Sequence, residues 1–385
     1  MTQLSVPLLD LKEQYRAIRE EIREAMDRVC DAQAFILGKE VEDFEKACAK
    51  YCRTKYAVGV SSGTDALIIA LLAAGVKAGD EVITSPYTFF ATASSIARIG
   101  ARPVFVDIEE KSFNIDPSAI AKKITTKTKA IMPVHLYGQA AQMDEINDLA
   151  GKHNLKIIED ACQAIGAEYR GKRSGSLGDF GCFSFFPSKN LGGFGDAGLV
   201  TTNSEADYKL LKALRMHGEV ERYHHAYLGG NFRIDALQAA VLRVKLQYLD
   251  KWAMKRAQNA QLYRELFNEQ GIVVRSNDLD KGSNGVVLPE IVVAGRHVYN
   301  QYIIRAQHRN DLLKYLQAQQ IGCNIYYPLC LHEQQCFQYL GDKKGDYPVG
   351  EKAAQQSLAL PIYPELTAEQ IKHVVNAITA FYREK

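Results

Sequence analysis

The chain has eight cysteines, at positions 30, 48, 52, 162, 182, 323, 330 and 336, and no two of them form a CxxC pair. A zinc framework or a disulfide-stapled scaffold is not expected from such spacing, and the cysteines read as reduced thiols. Nowhere do about eighteen apolar residues run together, so no membrane-spanning helix is expected. The opening MTQLSVPLLDLKEQYRAIREEIREAM lacks the basic start and continuous apolar block of a secretory signal, which makes a soluble cytoplasmic protein the expectation. An excess of one charge is missing too: 47 basic against 45 acidic side chains leave +2, with no basic cluster, so neither nucleic acid nor an anionic membrane is an expected partner. No repeat and no Gly/Pro-rich linker divides the 385 residues, although that length exceeds one ordinary core and implies two to three units of about 150 residues.

What is present centres on FGCFSFFPSKNLGGFGDAG, Phe180 to Gly198. The apolar run Phe183 to Phe186 reads as a buried strand that delivers Pro187, Ser188 and Lys189 to a glycine-rich loop. A lysine leaving a core loses solvation, its pKa falls, and a neutral amine becomes available to attack a carbonyl, which is Schiff-base chemistry. The loop LGGFGDAG lacks the GK[ST] ending of a phosphate loop and the strand-turn-helix setting of a dinucleotide site, so its glycines suit tight packing. Upstream, in LKIIEDACQ, Asp160 stands where the apolar strand Leu155 to Ile158 runs out, the usual place for chemistry in an open α/β sheet. A carboxylate there can pair with a pyridinium nitrogen, and Lys189 can serve the aldehyde on the far side of the same ring. Those are the two ends pyridoxal phosphate requires.

Elsewhere the chain alternates strand and helix as a doubly wound sheet does. Leu11 to Val29 reads as one amphipathic helix, and Val41 to Cys52 as a second. Tyr56 to Val60 is a strand, SSG a turn, and Thr64 opens an apolar helix. Free N–H groups at that turn make an anion site suited to a phosphate at Ser62, Gly63 and Thr64, with a plain helix cap as the alternative. Asp65 is left out of the site because its charge opposes a phosphate. Further strands are expected at Glu81 to Thr84, in AIMPVHLYG and at Gly198 to Thr202, with helices at Met143 to His153, Glu205 to Arg215, and Asp235 running beyond Leu249. His217, His224 and His225 lack a cysteine or acid at ligand spacing, so no metal is assigned. Beyond Trp252 come strands in VVLPEIVVAG, HVYNQYIIRA and GCNIYYP, a helix Arg309 to Gln320, and a last helix with a Thr367–Gln370 capping box. The expected division is a large unit, 1–250, and a small one, 251–385.

The motifs SSGTDAL, PYTFFAT, EDACQAIGA, GSLGDFGCFSFFPSKNLGGFGDAG, GGNFRIDALQAA and YYPLCLHEQQCF, in that order, resemble the DegT/DnrJ/EryC1/StrS family of sugar aminotransferases. The resemblance covers nearly the whole chain. It implies an α/β, type I aminotransferase-like fold: a large mixed, mainly parallel sheet with a smaller C-terminal α/β domain, acting as a homodimer. It implies pyridoxal 5'-phosphate as cofactor, with Lys189 catalytic, Phe89 stacked on the ring, Asp160 at the ring nitrogen, Gln163 at the ring oxygen, and Ser184 on the phosphate. The residue matching Asn231 reaches the partner's phosphate in that family. Tyr223, Arg233, Tyr327 and His332 match its sugar-facing positions, with Cys330 where proline is common. The implied reaction moves an amino group from glutamate to a nucleotide-linked keto-sugar, best a UDP- or dTDP-linked 3-oxo sugar. Acceptors of the 4-keto or scyllo-inosose type remain open. A dehydratase of the same fold would carry histidine in place of Lys189, and a non-catalytic regulator would have no use for Asp160 and Lys189 together.

Overall fold

Seven short segments, nearly all apolar, become one sheet because both of its faces are covered, and strands buried on two sides need no polar alternation. The computed structural model describes residues 4–384. The strands are β1 (Tyr56–Val60), β2 (Glu81–Thr84), β3 (Arg102–Phe105), β4 (Thr128–Ile131), β5 (Lys156–Asp160), β6 (Phe180–Ser184) and β7 (Gly198–Thr202). They lie in the order β1-β7-β6-β5-β4-β2-β3. From β3 to β6 all neighbours are parallel, while β7 runs antiparallel between β6 and β1. Parallel strands align their carboxyl ends along one edge, and that edge carries the site.

On one face the helix Gly63–Ala73 is buried from Ala66 to Leu71 and shares a core with Val58, Ile158 and Phe180. On the other, the helices Arg19–Ala32, Lys39–Cys52 and Ala236–Leu246 pack over Phe183, Phe185 and Leu199. One ion pair is sealed into this packing. Arg215 bonds Glu45, and Glu45 in turn accepts the Gly59 N–H of β1 at 2.8 Å, so the buried charges are compensated. A second, antiparallel sheet joins β8 (Val286–Val287), β9 (Tyr302–Ala306) and β10 (Ser357–Leu360), backed by the helices Leu249–Glu269, Arg309–Ala318 and Ala368–Arg383. Thr367 and Gln370 form the capping box that their spacing predicts.

Several boundaries differ from the sequence reading. The opening helix is interrupted at Ile18 (φ −127°), giving Lys12–Ala17 and Arg19–Ala32, and the helix expected from Asp235 past Leu249 breaks at Gln247 and Tyr248. Both breaks fall inside unbroken apolar periodicity, which records the face a helix buries and not its axis. Strand β6 stops at Ser184, two residues early, and Phe186 is exposed at the edge of the site. Toward the C-terminus VVLPEIVVAG yields only the two residues of β8 and, at its last residue, the start of the pair Gly295–Arg296; GCNIYYP forms no strand, and β10 was not expected. Among the described residues no helix is long and apolar enough to cross a membrane, no His/Cys/Asp/Glu group could hold a metal, and all eight cysteines are free.

Candidate active site

A cavity of about 450 Å³ opens at the carboxyl edge of the sheet. Asp160 and Gln163, from the end of β5, line it together with Ser184 and Lys189 from β6 and its loop. Ser62, Gly63 and Thr64 enter from the turn after β1, Phe89 from the loop after β2, and Tyr327 from the segment between the helix Arg309–Ala318 and β10. Lys189 is reachable from the cavity, yet burial draws its ammonium below the ordinary range, while the nearby Cys162 and Asp160 oppose that shift. Burial dominates, and it favours the unprotonated amine.

Asp160 is nearly inaccessible and fixed by three contacts. Its Oδ2 accepts the Thr92 hydroxyl at 2.7 Å, its Oδ1 the Cys162 N–H at 3.3 Å, and its carbonyl the His135 N–H at 3.0 Å. The neighbouring acid is used differently. Glu159 points to the other side of the strand, where its carboxylate is satisfied by the N–H groups of Gly175, Leu177 and Gly178 (2.7–2.8 Å) and by His135 Nε2 at 2.9 Å. Gln163 is held at both ends of its amide: Oε1 accepts the Tyr137 N–H at 2.7 Å, and Nε2 donates to the Tyr327 hydroxyl at 2.9 Å.

At the opposite end, Gly63 and Thr64 are the first residues of a helix, where N–H groups have no acceptor within the helix. A Cβ on Gly63 would come within 2.6 Å of Ser184 Cβ and 3.0 Å of Cys162 Sγ, so only glycine lets this backbone lie against Ser184. Ser62 is a genuine N-cap, accepting the Asp65 N–H at 3.1 Å, and Asp65 turns back onto the hydroxyls of Ser61 and Ser62 at 2.7 and 2.8 Å. The cap and the anion cradle are therefore both present in one turn. A hydroxyl and free amides at one end, a carboxylate at the other and an amine between them fit the phosphate, ring nitrogen and aldehyde of pyridoxal phosphate.

The loop bearing Lys189 is gripped from the helix Ala236–Leu246. Gln238 Oε1 accepts the Phe194 N–H at 2.7 Å, Lys245 Nζ donates to the Gly192 carbonyl, and Asn190 Nδ2 bonds the Val298 carbonyl at 2.8 Å. Gln238 and Lys245 stand seven residues apart, on one face of that helix.

Not every candidate reaches this cavity. Tyr223 is 78% exposed on the segment that carries the short strands Glu219–Glu221 and His224–His225, and Asn231 is also exposed. Arg233 is half-buried, bridged by its backbone to Val60 beside the phosphate turn. His332 lies away from the cavity lining: it is buried, with Nε2 3.1 Å from Glu351 Oε1, a pairing that leaves it a structural part of the second unit. Residues absent from the sequence reading also appear. Thr88, Asp196 and Gln301 line the cavity, and Thr92 fixes Asp160; Thr88 and Thr92 stood in the PYTFFAT motif, four residues apart.

The model of the DegT/DnrJ/EryC1/StrS aminotransferase family matches residues 16–379. The chain is 48% identical over 380 residues to a "pleiotropic regulatory protein" of Geobacillus stearothermophilus, covering 99% of each. It is 39% identical to the UDP-2-acetamido-2-deoxy-3-oxo-D-glucuronate aminotransferase of Pseudomonas aeruginosa, over 97% of this chain and 99% of that one. The crystal structure of S. venezuelae DesV, in complex with a ketimine intermediate, superposes with a TM-score of 0.92 at 39% identity, covering 98% of both chains. With so little of the chain outside these matches, the protein belongs to the DegT/DnrJ/EryC1/StrS aminotransferase family and is a pyridoxal phosphate-dependent aminotransferase.

Proposed function

We propose that the protein transfers an amino group, from glutamate as donor, to carbon 3 of a nucleotide-linked keto-sugar. The observation that carries the chemistry is the buried amine of Lys189 in one cavity with the fixed carboxylate of Asp160. The acceptor class is supported by the 3-oxo sugar nucleotide named for the Pseudomonas relative.

When bound, pyridoxal phosphate supplies the electron sink that acidifies the hydrogen on the amino-bearing carbon. In our reading the protein's own groups do the rest. The N–H groups of Gly63 and Thr64, with the Ser184 hydroxyl, would bind the phosphate, while the Ser62 hydroxyl, committed to Asp65, shapes the turn that presents them. Asp160 holds a proton at the ring nitrogen, Phe89 covers the ring face, and Gln163 orients the ring oxygen. Lys189 Nζ, its hold on a proton weakened by burial, would take the proton from the donor carbon and return one to the acceptor carbon.

The acceptor side is completed by a second copy of the chain. Val220, Tyr223 and Leu228 are 61, 78 and 96% exposed on the segment that ends at Asn231, an apolar surface this protomer does not cover. Asn231 would then bind the partner's phosphate, and Tyr223 and Arg233 would face its sugar. The regulatory name of the Geobacillus relative raises a non-catalytic reading, against which stands the Lys189 amine sharing one cavity with the Asp160 carboxylate.

The test is to load the enzyme with amino groups from glutamate, then offer UDP-, dTDP- and GDP-linked 3- and 4-keto sugars, a scyllo-inosose-type ketone and simple 2-oxo acids. Recovery of the starting cofactor spectrum with a 3-keto sugar nucleotide is the expected result. Recovery with 2-oxo acids alone overturns the sugar reading.

A further inference from the structure

We infer that Tyr87 is a positioning residue, whose buried hydroxyl grips the peptide between Tyr326 and Tyr327 and so sets the Tyr327 phenol over the cavity. The inference rests on the keto-sugar reading for its effect on substrate, but the grip itself is visible in the hydrogen bonds. Tyr87 is wholly buried, in the loop after β2, two residues before Phe89. Its hydroxyl lies 2.8 Å from the Tyr326 carbonyl, 3.0 Å from the Tyr327 N–H, 2.7 Å from Ser357 Oγ and 3.2 Å from the Tyr137 hydroxyl. Tyr137 also donates to the Tyr326 carbonyl.

One assignment satisfies every atom of this cluster. A phenol has one proton to give and two lone pairs to fill. Tyr87 gives its proton to the Tyr326 carbonyl and accepts from the Tyr327 N–H and from Ser357; Tyr137 fills the second lone pair of that carbonyl. A fully satisfied buried network is rigid, and this one joins two tyrosines from loops at the edge of the large sheet to Tyr326, Tyr327 and Ser357 of the C-terminal part of the chain. The Tyr327 N–H gives its hydrogen bond to Tyr87.

What the grip holds matters to the chemistry. Gln163 Oε1 is occupied by the Tyr137 N–H, so it is the amide nitrogen that meets the Tyr327 oxygen, as donor. Tyr327 therefore accepts from Gln163 and keeps its own proton for a substrate oxygen. Burial pushes the Tyr327 phenol well above its ordinary pKa, and it remains a donor throughout the working range. Its ring stands 6.1 Å from that of Phe89, so the same residue borders both the cofactor face and the open space beyond it.

The experiment is a double-mutant cycle in the holoenzyme with Tyr87→Phe, Tyr327→Phe and the pair. Tyr87→Phe removes one hydroxyl and keeps the buried ring, and is expected to raise the KM for the keto-sugar about tenfold, the scale of one hydrogen bond. The donor half-reaction with glutamate, followed by the cofactor's visible spectrum, should stay within about twofold. In the Tyr327→Phe background the Tyr87 change should add nothing. Full additivity, an unchanged KM, or equal losses in both half-reactions each overturn the inference. Hydrogen exchange at the Tyr327 amide gives a reading that needs no sugar: Tyr87→Phe should speed it. Unchanged exchange overturns the grip, whereas a wild-type enzyme that takes no keto-sugar overturns the acceptor reading alone.

Discussion

The two sides of the cavity are built in opposite ways. On the cofactor side, Asp160, Gln163 and Ser62 each have short hydrogen bonds to neighbours of the same chain, and Lys189 sits on a loop tied at three points. On the side assigned to the acceptor, Tyr223 stands in the open, whereas Tyr327 is anchored through Gln163. Preorganised groups favour one fixed ligand, and a cofactor is the part of this reaction that never changes. In the proposed dimer an exposed group such as Tyr223 would gain its geometry on assembly, which would leave the side that varies with substrate to a second protomer.

The comparison can be broken most severely at its fixed side. Lys189→Ala should reduce turnover by about 10⁴-fold or more, since it removes the only amine at the reacting carbon. The same variant should still bind cofactor, yet borohydride should no longer fix it to the chain. A cofactor-sized mass gain in the reduced variant would show that another amine does the work. The open side is sharpened by mixing. Asn231→Ala and Lys189→Ala chains are each expected to be weak, and co-refolded together they should recover about a quarter of wild-type activity, one intact site in each mixed dimer. Mixed dimers as inactive as the poorer parent would place Asn231 in its own protomer's site.

The smallest effect tests the loop's grip. Lys245 is buried in a cavity of about 170 Å³ lined by Gln14, Tyr15, Ile18, Ile22, Pro187 and Phe194, with no carboxylate, and burial lowers its ammonium from 10.5 to about 8. Between those values the unfolded chain holds a proton that the folded one has lost, so the stability of the wild type rises with pH through that window. Below about 8 the cost of the buried charge is present in full. Lys245→Met abolishes this titration. Its stability relative to wild type should be most favourable near pH 7, by about 3 kcal/mol less about 1 for the lost bond to Gly192, and should decline toward pH 10.5. Urea unfolding at several pH values measures it, and a difference independent of pH would count against a titrating Lys245.

The same contrast explains what could be read from the sequence. Strands β1, β2 and β7 and the helices Met143–His153 and Glu205–Arg215 begin and end where the residues indicate, because two-sided burial writes an unbroken apolar run and helix ends carry local signals. The second sheet was poorly legible. Strand β9 takes its partners from residues 286–287 and 357–360, and nothing local in LAL or VV announces that pairing. The cavity residues stood out where chemistry sits at a strand end, as with Asp160 and Lys189. His332 shows the limit: its motif was visible, but its pairing with Glu351 depends on a helix, Pro348–Gln356, that the sequence reading did not contain. Thr92 was hidden for a related reason, since a threonine in the first turn of a helix is unremarkable until a carboxylate faces it.

The two holds on the Lys189 loop, at Gln238 and Lys245, have a consequence for how this gene can change length. Each residue advances an α-helix by about 100°, so deleting or inserting a single codon anywhere from 239 to 244 swings one hold a quarter turn or more away from the other. Substitutions in that stretch keep both holds in phase, whatever they cost in packing. A one-residue length change in this helix, which lies outside the cavity lining, would release one side of the loop on which Lys189 is carried.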